Sequence, residues 1–400
     1  MSVLVAPSSD HVAPSREEML KRACDLLPLI ESKAQWSEDN RRLHDDVVEA
    51  MAEAGVFDMR RPLRYGGYET DSRTLMDVIA TLALADGSTA WNAAVWSISN
   101  WIACLFPDHV QDEVFAAPGA RVCAVLSPTG LAEPADGGLI VTGRWQFISG
   151  ALHSQWQVVL AMAPAPDGSR WPVMALVPMT DLEIVDDWHT SGLAGTGSVT
   201  TAATGLFVPH DRVLPMPAVL QGQYASEANA TSPVFSAPLM PTGCAGFAGV
   251  AVGLAKAARN DFFRRLPGRK ITYTDYAAQS EAPLTHLQVA EAALKAEEAE
   301  FHAYRIADML DRKGAGGEPW TVEERVTARA RLGRTFDLAK QSVDVLCTAG
   351  GGSSIYRSVP LQRVQRDVNA LNLHALMHPN TNYELFGRVL SGLRPNSMYL

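Results

Sequence analysis

The 400-residue sequence is short of several features, and each shortage excludes a class of protein. Five cysteines, Cys24, Cys104, Cys123, Cys244 and Cys347, lie far apart with no CxxC spacing. They predict reduced thiols in a cytoplasmic protein, not a disulfide frame or a zinc site. Basic residues are outnumbered, 34 Lys and Arg against 44 Asp and Glu, for a net charge of -10. A general nucleic-acid binder needs the opposite balance to displace counterions. Long apolar runs are also missing: "SISNWIACLF" is too short to span a bilayer, so no membrane partner is expected. "MSVLVAPSSDHVAPS" has no basic n-region and no apolar core, and reads as a disordered tail. No strand–GxGxxG–helix unit occurs, which removes a Rossmann cofactor site.

What is present falls into three textures. Residues 15–118 carry helical periodicity, as in "DDVVEAMAEAGVF", where Val47, Val48, Met51 and Ala54 share a face. "RPLRYGGYETD" interrupts it as a loop. Residues 119–225 turn to short runs rich in Val, Ile, Trp and Phe, punctuated by Gly, Pro and Asp: an antiparallel sheet or barrel. Residues 226–400 return to long Ala-rich helices of the kind that pack into bundles, often across subunits. With residues 1–14 as the tail, the expectation is a mainly α protein with a central β domain.

Four stretches carry candidate chemistry. In "GRWQFISGALHSQW", Trp145 and Phe147 are either ordinary β-surface aromatics or the walls of a flat cofactor, with the Ser149 hydroxyl at its edge. "AVLSPTG" offers Ser127 beside them. "DWHTSGLAGTGS" is a loop of glycines and hydroxyls with no helix start behind it, so a phosphate loop is disfavoured. "CTAGGGSSIYRSVPLQRVQRD" has more glycine than a helix stop needs, so backbone could approach a phosphate or a ring there. Arg363 and Arg366 could neutralise a phosphate, or Arg366 and Asp367 could form a structural pair.

The order of "PLRYGGY", "ADGSTAW", "GRWQFISG", "GLAGTGS" and "TAGGGSSIYRSVPLQRVQRD" resembles the acyl-CoA dehydrogenase fold over about residues 15–395. Within that fold the chain resembles the oxygenase components of two-component (group D) flavin-dependent monooxygenases. The resemblance implies an N-terminal helical domain, a β-barrel domain and a C-terminal four-helix bundle, assembled as a homotetramer. It also implies reduced FAD or reduced FMN as cofactor with O2 as co-substrate and no metal, a separate NAD(P)H-dependent flavin reductase, and hydroxylation of a small aromatic substrate through a flavin C4a-hydroperoxide.

The same resemblance separates oxygenase from dehydrogenase. Many acyl-CoA dehydrogenases hold a carboxylate base nine residues past the Arg of an "RD" pair. Counted from Arg366 that place is Ala375, and no Asp or Glu occurs between Val368 and Asn382. His374 stands beside it, and a histidine suits a phenol or an indole N–H. The catalytic candidates are therefore His374 and Ser149. Ser127, Trp145, Phe147 and Ser149 would line the flavin ring. Arg269, Gln288, Gly351 and Gly352 would serve its phosphate side, the first two from a neighbouring subunit. Trp91, Trp96, His153, Trp188 and Gly195 would form the substrate pocket. N- or S-oxygenation and a dehydrogenase with an atypical base are the alternatives. A zinc scaffold on His374 and His378 is disfavoured, because "HALMH" lacks the Glu of HEXXH.

Overall fold

The structure, a computed structural model, describes residues 13–400; the expected tail over 1–14 lies almost wholly outside the described residues. The chain opens with helices α1 (Arg16–Asn40), α2 (Asp45–Glu53), α3 (Ser72–Leu82), α4 (Gly87–Ala103) and α5 (Asp108–Val114). Side chains placed where a helix start leaves free N–H groups fix these boundaries. Asp71 accepts from the Thr74 N–H at 2.7 Å to begin α3, and Asp86 from the Thr89 N–H at 2.8 Å to begin α4. The cap at Asp86 makes α4 the carrier of Trp91 and Trp96.

Eight strands follow: β1 (Val122–Ala124), β2 (Gly130–Ala135), β3 (Gly138–Ile148), β4 (Trp156–Pro164), β5 (Arg170–Pro178), β6 (Glu183–Val185), β7 (Val199–Pro209) and β8 (Val213–Pro215). They pair in the order β6-β7-β3-β2-β4-β5-β8, with β1 alongside β4. The sheet is mixed and not purely antiparallel, because β1 and β2 both run parallel to β4. Trp145 lies at its centre, fully buried among Val141, Ile148, Val159 and Ala161. Its register against β7 breaks between Trp145 and Ile148, and within that bulge Phe147 has φ +65°. A side chain in the left-handed region costs energy, so something outside the ladder has to hold it.

After α6 (Met216–Leu220) come the long helices α7 (Leu239–Arg265), α8 (Pro283–Gly316) and α9 (Val322–Gly350), then α10 (Pro360–Asn372) and α11 (Pro379–Leu390). By length and composition α7 could cross a membrane, a point the sequence reading passed over. However, 94% of its most apolar window is buried, so it is the bundle's core helix. Its glycines explain how it gets there. A Cβ on Gly253 would lie 2.3 Å from the Ala80 carbonyl oxygen, and one on Gly249 2.6 Å from that of Met76. One turn apart, they let the α3 backbone lie directly on α7. A single apolar core then joins the N-terminal helices to the bundle, and Leu193 of the β domain reaches into it.

Candidate active site

Three elements meet at the end of β3. The bulge delivers Ser149, α4 delivers Trp91, and the loop from Trp188 to Ser198 lies beneath both. The Trp91 indole N–H donates to Ser149 Oγ at 2.8 Å. Ser149 Oγ lies 2.7 Å from Ser198 Oγ, which lies 2.6 Å from Thr196 Oγ1. The Thr196 hydroxyl donates to the Leu193 carbonyl at 2.8 Å. All three hydroxyl residues are buried. The loop is closed at its far end by Asp187, whose carboxylate accepts from the Thr200 N–H at 2.9 Å and hydroxyl at 2.6 Å.

His374 comes from the turn after α10. Its ring centroid is 5.3 Å from that of Trp91, edge to face. Its Nδ1 accepts from the Leu376 N–H at 3.2 Å. A neutral imidazole with Nδ1 so engaged carries its proton on Nε2 and presents a donor. Crowding by protein pushes the imidazole down to about 4, although water still reaches the residue. Both facts put the ring at a protein-lined edge that solvent touches. Exposed Leu373 lies next to it in the chain.

Phe147 is 63% exposed, and its ring stands 5.9 Å from that of Trp188, nearly perpendicular. The Trp188 N–H is fixed on the Leu193 carbonyl at 3.1 Å, so one carbonyl anchors both the aromatic and the hydroxyl chain. Ser127 is exposed, two residues from Thr129, whose hydroxyl donates to the Arg144 carbonyl at 2.7 Å. That bond places the Ser127 loop along the same end of β3.

Several expected site residues lie elsewhere. Trp145 does not face the cleft: its N–H donates to the Leu160 carbonyl at 2.7 Å inside the sheet, because the bulge puts it and Phe147 on different faces. Trp96 is fully buried, with its N–H on Ser154 Oγ at 3.0 Å. Five residues separate it from Trp91, which turns it about 140° around the helix. His153 is held by the Leu43 carbonyl at 3.1 Å, and burial pushes its imidazole down to about 4. It fastens the α1–α2 link to the β domain. Gly195 is a packing glycine: a Cβ there would lie 3.1 Å from Cβ of Ser88 and 3.2 Å from that of Ser37. Arg363 is committed to Asp86 at 3.5 Å, and Arg366 to Glu38 at 2.8 Å rather than to Asp367, so neither is free for a phosphate.

The phosphate-side candidates gather at the other end of α10. Arg269 donates to the Gly350 carbonyl, and its guanidinium lies 3.9 Å from where a Cβ of Gly351 would be. Gly351 ends α9 at φ +61°, and nothing lies within 4 Å of a Cβ on Gly352. The result is open backbone beside a cation, a fit for an anionic group. Gln279, which the sequence reading missed, braces this corner by donating to the Ala349 carbonyl at 2.7 Å. Gln288 is half-buried on α8.

A buried carboxylate pair stands behind the hydroxyl chain. Asp367 Oδ1 accepts from the Leu193 N–H at 2.6 Å, holding that residue at φ +54°. Its Oδ2 is buried without a hydrogen-bond partner. Burial, then the nearby Asp86, raises Asp367 to about 7. The folded state thus keeps a proton that the unfolded chain has lost, so this stabilisation is full below about pH 4 and disappears as pH rises through about 7. Asp367→Asn retains the acceptor oxygen and removes the titration. Unfolding measured from pH 5 to 8 should show a wild-type slope of up to about 1.4 kcal/mol per pH unit that the variant lacks. Equal slopes in the two proteins would contradict a protonated Asp367.

Comparison with known proteins shows the family. Residues 26–111 match the acyl-CoA dehydrogenase N-terminal domain family, and residues 245–379 the acyl-CoA dehydrogenase C-terminal domain family. The chain is 30% identical to the FADH(2)-dependent resorcinol hydroxylase oxygenase component of Rhizobium sp. (strain MTP-10005), over 98% of each chain. It is 30% identical to the flavin-dependent monooxygenase oxygenase subunit HsaA of Mycobacterium tuberculosis, over 95% of this chain and 96% of that one. The solved structure of XiaF from Streptomyces sp., in complex with FADH2 and glycerol, superposes with a TM-score of 0.89 at 30% identity, covering 96% of this chain and 97% of the other.

Proposed function

The chain belongs to the flavin-dependent monooxygenase oxygenase components built on the acyl-CoA dehydrogenase fold, and on that premise we propose that it hydroxylates a small phenolic or related aromatic ring using reduced FAD from a separate NAD(P)H-dependent reductase. The observation that carries this reading is the contiguous set Ser149–Trp91–His374, joined at 2.8 Å and by ring contact, with no Asp or Glu between Val368 and Asn382. FAD is favoured over FMN because XiaF holds FADH2 and the resorcinol hydroxylase is named for it.

When bound, reduced flavin activates dioxygen at its C4a position; that chemistry belongs to the cofactor. The protein supplies the surroundings. Ser149 meets the ring edge at N5. His374 would donate from Nε2 to the oxygen of a bound phenol. Phe147, Trp188 and Leu373 are apolar walls that close over a bound ring and keep water out. In an oligomer the Arg269–Gly351 corner would hold the pyrophosphate.

Anaerobic titration with photoreduced FAD and FMN tests the assignment. Reduced FAD should bind more tightly than reduced FMN. Arg269→Ala should weaken reduced FAD by about 10-fold, one charge-assisted contact, and leave reduced FMN nearly unchanged if the cation serves the adenylate-side phosphate. Absence of binding of either reduced flavin would overturn the proposed function.

A further inference from the structure

The hydroxyls beneath Ser149 form a chain whose proton directions can be counted. At one end stands the Trp91 indole N–H, which can only donate; at the other is the Leu193 carbonyl, which can only accept. Between them lie three hydroxyls with one proton each, Ser149, Ser198 and Thr196, spaced at 2.8, 2.7, 2.6 and 2.8 Å along the four links. Four hydrogen bonds share four protons, so only one arrangement satisfies them all. Thr196 donates to Leu193, Ser198 to Thr196, Ser149 to Ser198, and Trp91 to Ser149. Every proton runs along the chain toward the Leu193 carbonyl. The Ser149 oxygen has used its proton and one lone pair, and one lone pair remains.

We propose that Ser198 and Thr196 are positioning residues that fix Ser149 as an acceptor toward the cofactor, so that the site selects the reduced flavin by its N5–H. This rests on the flavin placement proposed above. Oxidised isoalloxazine has a bare nitrogen at N5, and two lone pairs facing each other repel. Reduced isoalloxazine carries a hydrogen there and completes the bond. The relay thus makes a redox-state filter from groups that never touch the flavin. It also costs little motion, since all three hydroxyls are buried and already paired.

The relay has a measurable signature in equilibrium binding. The ratio of Kd for oxidised FAD to Kd for photoreduced FAD, both measured anaerobically on the full chain, reads the polarity of Ser149 independently of turnover. Ser198→Ala frees the Ser149 proton to swing toward the cleft, so the ratio should fall by about 5- to 10-fold, the worth of one hydrogen bond. Ser198→Thr restores a one-proton hydroxyl and should restore the ratio, which a packing role would not predict. Thr196→Val breaks the same chain one link further back and should give the same fall, and it serves if Ser198→Ala does not fold. If Ser149→Ala lowers the ratio while folded Ser198→Ala and Thr196→Val leave it unchanged, the relay is wrong and the flavin placement stands. If Ser149→Ala itself leaves the ratio unchanged, the placement of the flavin falls, and the relay with it.

Discussion

His374→Ala should lower hydroxylation by about 100-fold while reduced-flavin binding stays within a few-fold of wild type. The size follows from removing one preorganised donor from a water-poor site, where such groups are worth on the order of 100-fold in rate. The missing product should reappear as hydrogen peroxide, because dioxygen is still consumed. The pH profile distinguishes a donor from a base. The imidazole is pushed down to about 4 and its Nδ1 is tied to the Leu376 N–H, so its charge does not change between pH 5 and 8. Wild-type coupling should therefore be flat across that window where His374 is concerned. A free histidine base would instead give a rise centred near pH 6.5. A coupling profile that follows such a titration and vanishes in His374→Ala would show that the imidazole works as a base. The same depressed values give a stability prediction of known sign. His374 and His153 are neutral in the fold over a range where the unfolded chain takes up protons, so their contribution is present above about pH 6.5 and lost as pH falls toward 4.

We expect copies of this chain to associate through α8, so replacing Leu287 and Leu294 together by Glu should give monomers and weaken reduced FAD by more than 10-fold. Leu287, Leu294 and Phe301 recur every seventh residue along α8, exposed by 72, 67 and 56%. A seven-residue apolar repeat makes a stripe along one helix face, and a stripe left in water is a packing surface. Two buried charges per copy are expensive in such an interface. The link to flavin comes from distance. Gly352 precedes α10 and His374 follows it, and 13 helical residues span about 20 Å. That is longer than a ribityl chain, so if the Arg269 corner takes the pyrophosphate as proposed above, the ring it serves is expected on another copy. Sedimentation or light scattering alongside flavin titration checks both halves. Monomers that keep full affinity would refute the shared site, and an unchanged mass would refute the interface.

The parts of this molecule that repeat were legible in its sequence, and the parts that break a repeat were not. Helical spacing and Ala content place the long helices. Alternation along β3 predicts Trp145 and Phe147 on one face, and a single bulge defeats it. Trp91 and Trp96 are both expected in the substrate pocket, but their offset along α4 turns Trp96 into the core. His374 is found by its offset from Arg366, since a missing carboxylate is a sequence fact. Thr196 and Ser198 belong to a stretch whose hydroxyl content is plain, but nothing local says that Ser149 lies above them. That contact joins positions about fifty residues apart, and only the pairing of β3 with β7 creates it. The buried Asp367 is unreadable for the same reason, because its partner is the backbone of Leu193.

The bulge at Phe147 has a consequence for how such a site can change over time. Because the register shifts between Trp145 and Ile148, Phe147 stands outside the ladder that pairs Trp145 with Thr201. Its left-handed backbone is one that Gly or Asn adopts with less strain than Phe, so exchanging the wall would relieve the chain rather than burden it. A lineage, or an experimenter, can therefore redraw the pocket at this position and keep the sheet intact. Substrate range and foldability are set by neighbouring letters that answer to different pressures.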